Sequence, residues 1–474
     1  MVPRFLNYAL LTPFYTRIFK LGEYGVVTEL YAYIVVLLVI LTYGMETGYF
    51  RFTESEKNKD TVFSTALISL FVTSGLFIML VLILNQPIAN ALDYAENKEY
   101  IALFTMIVGI DAFTAIPFAK LRRENRGLRF AMIKLVNVSV IVLLVFCLLL
   151  FIPNILLKNP ESWIRRVYSP EIGVGYVFIA NLAGSVLTLI LLLPEIIGTP
   201  MIFDQKLLGR MLKYSFPLLI AGLAGTINEA LDKIILKHLL PDPETAMDQL
   251  GIYGAGFKIG VIMSLFIQMF RYAAEPFFFA RAKEQNAKRL YADVMKYFII
   301  CGLIIFLGIE MFIEIVKYFI GPEFWTGLDI VPVILMGYLF YGIFVNLSIW
   351  YKLNDLTRFG AILTMIGAFV TVLVNVLFVP VFGYHASAWG HFLCYFVMVI
   401  VSYFWGRAYY KVEYRLRSIG IYFIVALLLY LANVFFNPEV KLYELVINLL
   451  LFSLFIAFVW MKEDIKRVLL TGRD

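Results

Sequence analysis

The stretch Leu21-Gly22-Glu23-Tyr24-Gly25 returns 229 residues later as Leu250-Gly251-Ile252-Tyr253-Gly254. Two further matches have the same offset and are Glu46-Thr47-Gly48-Tyr49-Phe50 with Glu275-Pro276-Phe277-Phe278-Phe279, and Asn125 and Arg129-Phe130 with Asn354 and Arg358-Phe359. Because three separate matches share one offset, each half of the chain is predicted to be one structural unit used twice. In membrane proteins with many spans, such repeats are typical of transporters, with the substrate site between the halves.

The composition places the chain in a membrane. Of its 474 residues, 61% are hydrophobic and only 16% are charged, which is too apolar for a soluble protein. We predict fourteen apolar spans, near 2–17, 24–49, 61–85, 99–119, 130–152, 171–194, 211–235, 251–279, 292–316, 327–351, 359–380, 384–405, 418–435 and 443–461. The first span is short, at ~24 Å of helix against a hydrocarbon core of ~30 Å, so an incomplete first helix is expected. The three cysteines, Cys147, Cys301 and Cys394, all lie in apolar runs, which argues against disulfides and leaves the redox compartment open.

Basic residues predict the orientation of these spans. The segments that connect or follow the predicted spans on one side of the membrane carry 25 lysines and arginines, whereas those on the opposite side carry nine. The richer side is therefore predicted to be cytoplasmic. Its strongest anchor is the segment 120–129, which we interpret as a topology signal that also touches anionic lipid. These stretches account for the net charge of +6 without a nucleic-acid partner.

The repeat divides the chain into three predicted regions. Residues 1–200 form an N-terminal six-helix bundle, 205–410 form a second six-helix bundle, and 415–474 add two helices and a cytoplasmic tail. Six is an even number, so both bundles start on the same side of the membrane and are related by an axis along its normal. The predicted fold class is therefore an all-α integral membrane protein of about fourteen helices.

Three stretches resemble a known family. Residues 42–52, Thr-Tyr-Gly-Met-Glu-Thr-Gly-Tyr-Phe-Arg-Phe, look like the second-helix signature of bacterial polysaccharide exporters. The segment 13–17 followed by 21–25 is similar to the link between the first two helices of that family, and 253–258 resembles the start of its eighth helix. The family belongs to the multidrug/oligosaccharidyl-lipid/polysaccharide exporter superfamily. The chain departs from it in the short N-terminus.

The resemblance implies a function, a location and partners. It implies a flippase for O-antigen or capsule, which turns an undecaprenyl-pyrophosphate-linked oligosaccharide across the bacterial inner membrane by alternating access. Surface polysaccharides such as lipopolysaccharide would depend on it. Membrane lipids and a polysaccharide polymerase machinery would be its partners, and no cofactor or enzymatic activity is implied.

Arginines inside the spans are the candidates for binding such a substrate. A lipid pyrophosphate is polyanionic, and the planar fork of arginine binds phosphate oxygens in pairs while keeping its charge. The candidates are Arg4, Arg51 and Arg271, with Lys258 a weaker one. Arg4 and Arg51 are explained equally well as cationic ends of helices, whereas Arg271 lies within a span.

Acidic residues in the spans have two interpretations. Glu46 and the equivalent Glu275 are candidates for ion coupling or for a structural hydrogen bond, and Glu275 has Arg271 one helical turn away as a neutralising partner. Asp232 is a further candidate for ion coupling, although its neighbour Lys233 offers a local charge balance. Glu310 and Glu314 lie near an outer helix end, where exposure to the periplasmic interface explains them.

The offset also suggests a gate. Glu29 and Lys258 occupy equivalent positions and carry opposite charges, so we hypothesise that they pair across the outer side of a cleft. The alternative is that each side chain faces the lipid head groups separately.

Missing motifs exclude other functions. The chain lacks the G-x-x-x-x-G-K-[ST] loop of common nucleotide hydrolases, and His238, His385 and His391 lack the spacing of metal ligands. Two alternatives stay beside the flippase. One is a cation-coupled multidrug or metabolite exporter of the same fold, and the other is a membrane enzyme, which would need a large outer loop or a buried catalytic histidine.

Overall fold

The structure is a computed structural model that describes residues 2–166, 168–436 and 441–463. Throughout these ranges the regular secondary structure is helical, and no strand occurs in them. The predicted all-α fold class is confirmed.

The helices follow the predicted spans closely. In the first half of the chain they are α1 Val2–Ile18, α2 Leu21–Thr42, α3 Met45–Ser55, α4 Lys59–Ile83, α5 Asn85–Ala91, α6 Lys98–Arg123, α7 Gly127–Phe146, α8 Ile152–Lys158, α9 Gly175–Ile197 and α10 Gln205–Leu239. In the second half they are α11 Pro243–Ala280, α12 Ala287–Met311, α13 Ile313–Val316, α14 Val331–Leu347, α15 Ile349–Leu353, α16 Thr357–Phe382, α17 Tyr384–Tyr409, α18 Leu416–Phe435 and α19 Lys441–Glu463.

Thirteen helical segments of the described chain are long and apolar enough to cross a membrane. They correspond to thirteen of the fourteen predicted spans, so the protein is a multi-pass membrane protein. The remaining predicted span forms α1, whose 17 residues fall short of the ~20 needed to cross the hydrocarbon core.

The chain folds into two compact units. The first comprises Met1–His238 and Asp242–Gly251, and the second comprises Leu239–Pro241 and Ile252–Asp474. Nearly all of α10 therefore belongs to the first unit, although the sequence repeat assigns 205–410 to the second bundle. The predicted boundaries at 200, 205, 410 and 415 concern the repeat, and the superposition of the two halves stays a prediction.

The repeated glycine motif marks a close crossing of two helices within the first unit. A Cβ atom on Gly25 would lie 2.3 Å from the carbonyl oxygen of Met247, and one on Gly251 would lie 2.0 Å from that of Leu21. No side chain fits at such distances, so the starts of α2 and α11 approach through bare backbone. The start of α2 is further stabilised by Glu23, whose carboxylate accepts a hydrogen bond of 2.9 Å from the backbone N–H of Lys20.

A second feature recurs in both units, in the turn between two consecutive helices. Helix α6 ends at Arg123 and α7 begins at Gly127, while α15 ends at Leu353 and α16 begins at Thr357. Asn125 and Asp355 hold the left-handed conformation in these turns, with φ of 54° and 55°. The two turns are thus 230 residues apart, one more than the offset of the glycine motif.

The second predicted span, 24–49, is interrupted. Helix α2 ends at Thr42, and Tyr43 and Gly44 adopt positive φ values of 33° and 70° before α3 begins. Gly44 packs closely on α10, because a Cβ atom there would lie 3.0 Å from the carbonyl oxygen of Ser215. The span therefore bends at a fixed point, directly before Glu46.

The two C-terminal helices are attached to α12 by an ion pair. The ammonium of Lys296 binds the carboxylate of Glu463, and the hydroxyl of Tyr422 donates to the same carboxylate over 2.5 Å. Both ionic side chains are nearly inaccessible, so this contact joins α12, α18 and α19 in the second unit.

Candidate functional site

The equivalent acids Glu46 and Glu275 form the same ion pair in their own units. Glu46 binds Arg122 at the end of α6 over 2.6 Å, and Glu275 binds Lys352 in α15 over 2.6 Å. Arg122 and Lys352 are 230 residues apart, so they occupy equivalent places before the repeated turn. All four side chains are about a third to two fifths exposed, and such pairs fix geometry more than they add stability.

This pairing corrects one interpretation of the sequence. Arg271 was a candidate to neutralise Glu275 on the same helical face, but the carboxylate binds Lys352 instead. The guanidinium of Arg271 lies 5.9 Å from the ring of Tyr272, and within the described residues it forms no ion pair. Arg271 is half-buried in α11, inside a membrane-spanning segment. It is thus a charge inside a span that forms no ion pair in the described chain, and its substrate-binding role stays a prediction.

The other two candidate arginines lie on the first unit. Arg51 is exposed on α3, and its side chain forms no ion pair with the part of the chain that the structure describes. Arg4 lies in α1, but its side chain is outside the described residues. The substrate-binding role of both arginines stays a prediction.

The basic segment 120–129 is organised around a buried acid. The carboxylate of Glu195 in α9 receives two bonds from Arg129, at 2.9 and 3.0 Å, and a third from Arg126 at 3.2 Å. Its side chain is only 1% exposed. Lys120 adds a bond of 3.0 Å to the backbone carbonyl of Glu195. Sequence reasoning missed this residue, although an acid at the end of an apolar span facing a basic turn is the signal that predicts such a clamp.

Asp232 and Lys233 form the local pair that was the alternative to ion coupling. The ammonium of Lys233 lies 3.0 and 3.2 Å from the two carboxylate oxygens of Asp232, and both residues are buried in α10. This geometry provides the local charge balance. An ion-coupling role for Asp232 stays a prediction.

Glu29 is fully buried and has partners within the first unit. The hydroxyl of Tyr94 donates to its carboxylate over 2.5 Å, and the ammonium of Lys237 lies 3.4 Å away. Lys237 also donates to the carbonyl of Leu92 over 2.6 Å. Burial and the charge of Glu29 raise the pKa of Tyr94 well above its ordinary value, so the phenol keeps its proton and is the donor.

The predicted gate partner of Glu29 lies in the other unit. Lys258 is exposed on the part of α11 that belongs to the second unit. The cluster formed by Glu29, Tyr94 and Lys237 was not predicted, because Tyr94 and Lys237 are far from Glu29 in sequence. Pairing of Glu29 with Lys258 stays a prediction.

Glu310 corrects another expectation. We expected exposure at the outer interface, but Glu310 is only 5% exposed, and its Oε1 atom has no hydrogen-bond partner in the described ranges. Helices α18 and α19 pack on this part of α12, as shown by Asn448, whose amide donates to the carbonyl of Met311 over 2.7 Å. The expected exposure fits Glu314, which is 41% exposed and binds Lys317 over 2.5 Å.

The histidines lie in three different surroundings. His238 is 3.4 Å from the hydroxyl of Tyr33, His385 is 2.5 Å from a carboxylate oxygen of Asp329, and His391 is buried against the ring of Tyr338. The described residues contain no group of three side chains that would hold a metal ion.

Comparison with known proteins decides the family. The family described as "Polysaccharide biosynthesis protein" matches residues 6–281, which is more than half of the chain. The chain belongs to this family. No curated protein sequence matches it.

Solved structures show that this member has the fold of the exporter superfamily. It is similar to the lipid II flippase MurJ in an inward closed conformation, with a TM-score of 0.72 and 14% identity, over 97% of this chain and 98% of MurJ. It is also similar to an inward-facing multidrug resistance MATE family transporter of the MOP superfamily, with a TM-score of 0.68 and 14% identity, over 85% and 94% of the two chains. A MATE in complex with MaD3S gives a TM-score of 0.59 at 14% identity, over 86% and 94%.

Proposed function

We propose that the protein is a flippase for a lipid-linked oligosaccharide in surface polysaccharide synthesis. The observation that carries the proposal is the membership in the polysaccharide biosynthesis family. The fold adds support, because a lipid II flippase matches this chain over nearly the full length of both proteins. The substrate class is an undecaprenyl-pyrophosphate-linked oligosaccharide, and the location is the bacterial inner membrane.

Arg271 is the proposed ligand of the substrate's phosphates. It lies in a membrane-spanning helix, it is half-buried, and Glu275 is engaged by Lys352. A guanidinium in this setting binds phosphate oxygens in pairs, and the low dielectric strengthens the bond. Arg51 is the second proposed ligand, because it is a cation at the end of the bent second span. O-antigen as the glycan and a polymerase as the partner belong to the same proposal.

A second candidate function is a cation-coupled multidrug or metabolite exporter. The MATE transporters share the fold, and the buried Glu310 is an acid that a coupling cation or proton would engage. The two functions differ in what Arg271 does, because an exporter of cationic drugs gains nothing from an arginine in its path.

The experiment replaces Arg271 in the native host and measures surface glycan. We expect Arg271→Ala to abolish glycan display at an unchanged protein level, and Arg271→Lys to restore only part of it, since lysine keeps the charge and loses the bidentate fork. Arg281→Ala is the matched control, because Arg281 lies just after the same helix and pairs with Glu284 at the surface. Normal glycan display by Arg271→Ala would remove this arginine from the mechanism.

A further inference from the structure

A large apolar groove lies within the first unit, beside the bend of the second span. Its walls come from Tyr43 after α2, from α4 with Val72, from Phe203, and from α10 with Leu212 and Phe216. The cavity measures about 1030 Å³. That volume is at the upper end of the ~300–1,000 Å³ typical of small-molecule sites.

The hydroxyl groups in the walls are already engaged. The Tyr43 hydroxyl and the Ser69 Oγ share a hydrogen bond of 2.6 Å, and the Thr73 hydroxyl donates to the carbonyl of Ser69 over 3.0 Å. The groove therefore offers a ligand hydrocarbon surface rather than hydrogen bonds. A polar drug or a sugar would lose its water here without compensation, whereas a hydrocarbon chain would not.

The groove is open along one side, where its apolar side chains are exposed. Val72, Leu212 and Phe216 line it and are 58%, 39% and 62% exposed. Apolar side chains exposed on spanning helices favour contact with lipid chains over contact with water. A hydrocarbon chain can thus enter from the membrane without crossing a polar surface.

The side chain of Lys213 places a positive charge at the groove. Lys213 is exposed, lines the cavity, and forms no ion pair with any described residue. It follows Lys206 and Arg210 on one face of α10, at the end predicted to be cytoplasmic. Arg210 is engaged by Glu56 over 2.7 Å, which leaves Lys213 as the cation next to the cavity. The charge fits an anionic phosphate joined to an apolar chain.

Both walls also lack a regular helical hydrogen bond at this level. The left-handed residues Tyr43 and Gly44 interrupt the second span, and Pro217, which lines the groove, lies inside α10. Proline removes a backbone hydrogen bond and weakens the helix at that point. A hydrocarbon chain bound between these positions contacts both helices where regular helical hydrogen bonds are missing.

We propose that this groove holds the isoprenoid tail of the lipid-linked substrate, with its phosphate beside the ammonium of Lys213. The inference rests on the proposed flippase function. It assigns the tail, which Arg271 does not bind, and adds Lys213 to the cations proposed for the phosphates. A lipid whose head group passes through a protein must keep its tail in hydrocarbon throughout. An apolar groove that opens to the bilayer and carries one cation meets that need.

Photocrosslinking tests the assignment. The probe is a polyprenyl phosphate with a photoreactive diazirine near the phosphate end of its tail, added to the full chain in phospholipid nanodiscs. We expect labelled peptides within 68–73 and 203–217, and competition by unlabelled polyprenyl phosphate but not by phosphatidylglycerol. Val72→Trp or Leu212→Trp, which fill the groove, should weaken labelling roughly tenfold through lost methylene contacts.

Two controls match these variants. Leu428→Trp places the same indole on an exposed position of α18, and it should leave labelling unchanged. Lys213→Gln should weaken labelling, whereas Lys283→Gln at another exposed, predicted cytoplasmic position should not.

Three outcomes would overturn the inference. Labelling only outside the groove would refute the groove and leave the flippase proposal standing. Equal competition by phosphatidylglycerol would make the groove a general lipid surface. The absence of labelling anywhere on the chain would refute both the groove and the proposed function.

Discussion

Positions 42–46 of the first unit and 271–275 of the second are equivalent in the sequence repeat, but their backbone conformations differ. Both end in a glutamate that pairs with a cation before an equivalent turn, Arg122 in one unit and Lys352 in the other. In the first unit the chain leaves the helix at Tyr43 and Gly44, whereas α11 continues without interruption through the equivalent Tyr272 and Ala273. The shared ion pair therefore does not dictate the shape of the helix that carries it.

We propose that this difference lets the two units contribute differently to substrate binding. The first unit has a bend beside an apolar groove, and the second has Arg271 at the position where the first has Thr42. A lipid-linked glycan has an apolar tail and an anionic head group. The proposals assign the tail to the first unit and give Arg271 of the second unit a part in binding the head group. Three stability predictions test the differences between the two units.

The largest effect is expected at the repeated glycine motif. Gly251→Ala should prevent stable folding, because its Cβ atom would lie 2.0 Å from the backbone carbonyl of Leu21, and backbone cannot move aside cheaply. The equivalent Gly22→Ala should be tolerated, since the one tight contact of its Cβ atom would be the movable carboxylate end of Asp248 at 3.0 Å, and Met247 Cβ at 3.7 Å is an ordinary contact. Fluorescence-detected size exclusion of both variants measures the difference. Equal folded yields would show that this crossing is not the close contact described.

A smaller effect is expected at the clamp of the basic turn. Glu195→Ala should destabilise the first unit by about 2 kcal/mol, because it removes several charge-assisted hydrogen bonds and leaves two partly solvated arginines. Arg358, the equivalent of Arg129, forms no ion pair in the described chain and stacks on Phe359. Arg358→Ala is therefore the control, and thermal unfolding in detergent should separate the two variants clearly. Indistinguishable midpoints would show that the acid does not hold the turn.

The smallest effect is expected at the bend. Gly44→Ala should cost about 1–2 kcal/mol, the penalty of a left-handed residue with a side chain. The reverse change in the other unit, Ala273→Gly, should cost about 1 kcal/mol as an ordinary helical substitution. Chemical unfolding of both variants tests this order, and a stabilising Gly44→Ala would mean that the bend does not depend on glycine.

The sequence predicts the fold class and thirteen of the spans, because both depend on local patterns of apolar residues. It does not predict the break after Thr42, since a two-residue turn leaves the apolar run unchanged. It also misplaces the partner of Glu275. Helical spacing favoured Arg271, whereas Lys352 approaches from 77 residues away.

Local sequence patterns also do not predict which acidic side chains are buried. Glu310 and Glu195 both lie at helix ends, where exposure is the ordinary expectation. Glu310 is covered by the packing of the C-terminal helices, and Glu195 by the basic turn. Such contacts join residues that are distant in sequence, so they become visible only in the folded chain.

The most direct test of the central claim is transport by the purified protein in vesicles. A fluorescent undecaprenyl-pyrophosphate-linked oligosaccharide is placed in both leaflets, and its access to an external glycan-specific enzyme is followed over time. The proposal predicts that the parent protein and Arg281→Ala expose the inner pool, whereas Arg271→Ala leaves it protected. Equal exposure by parent and Arg271→Ala, or none above protein-free vesicles with the parent, would contradict it.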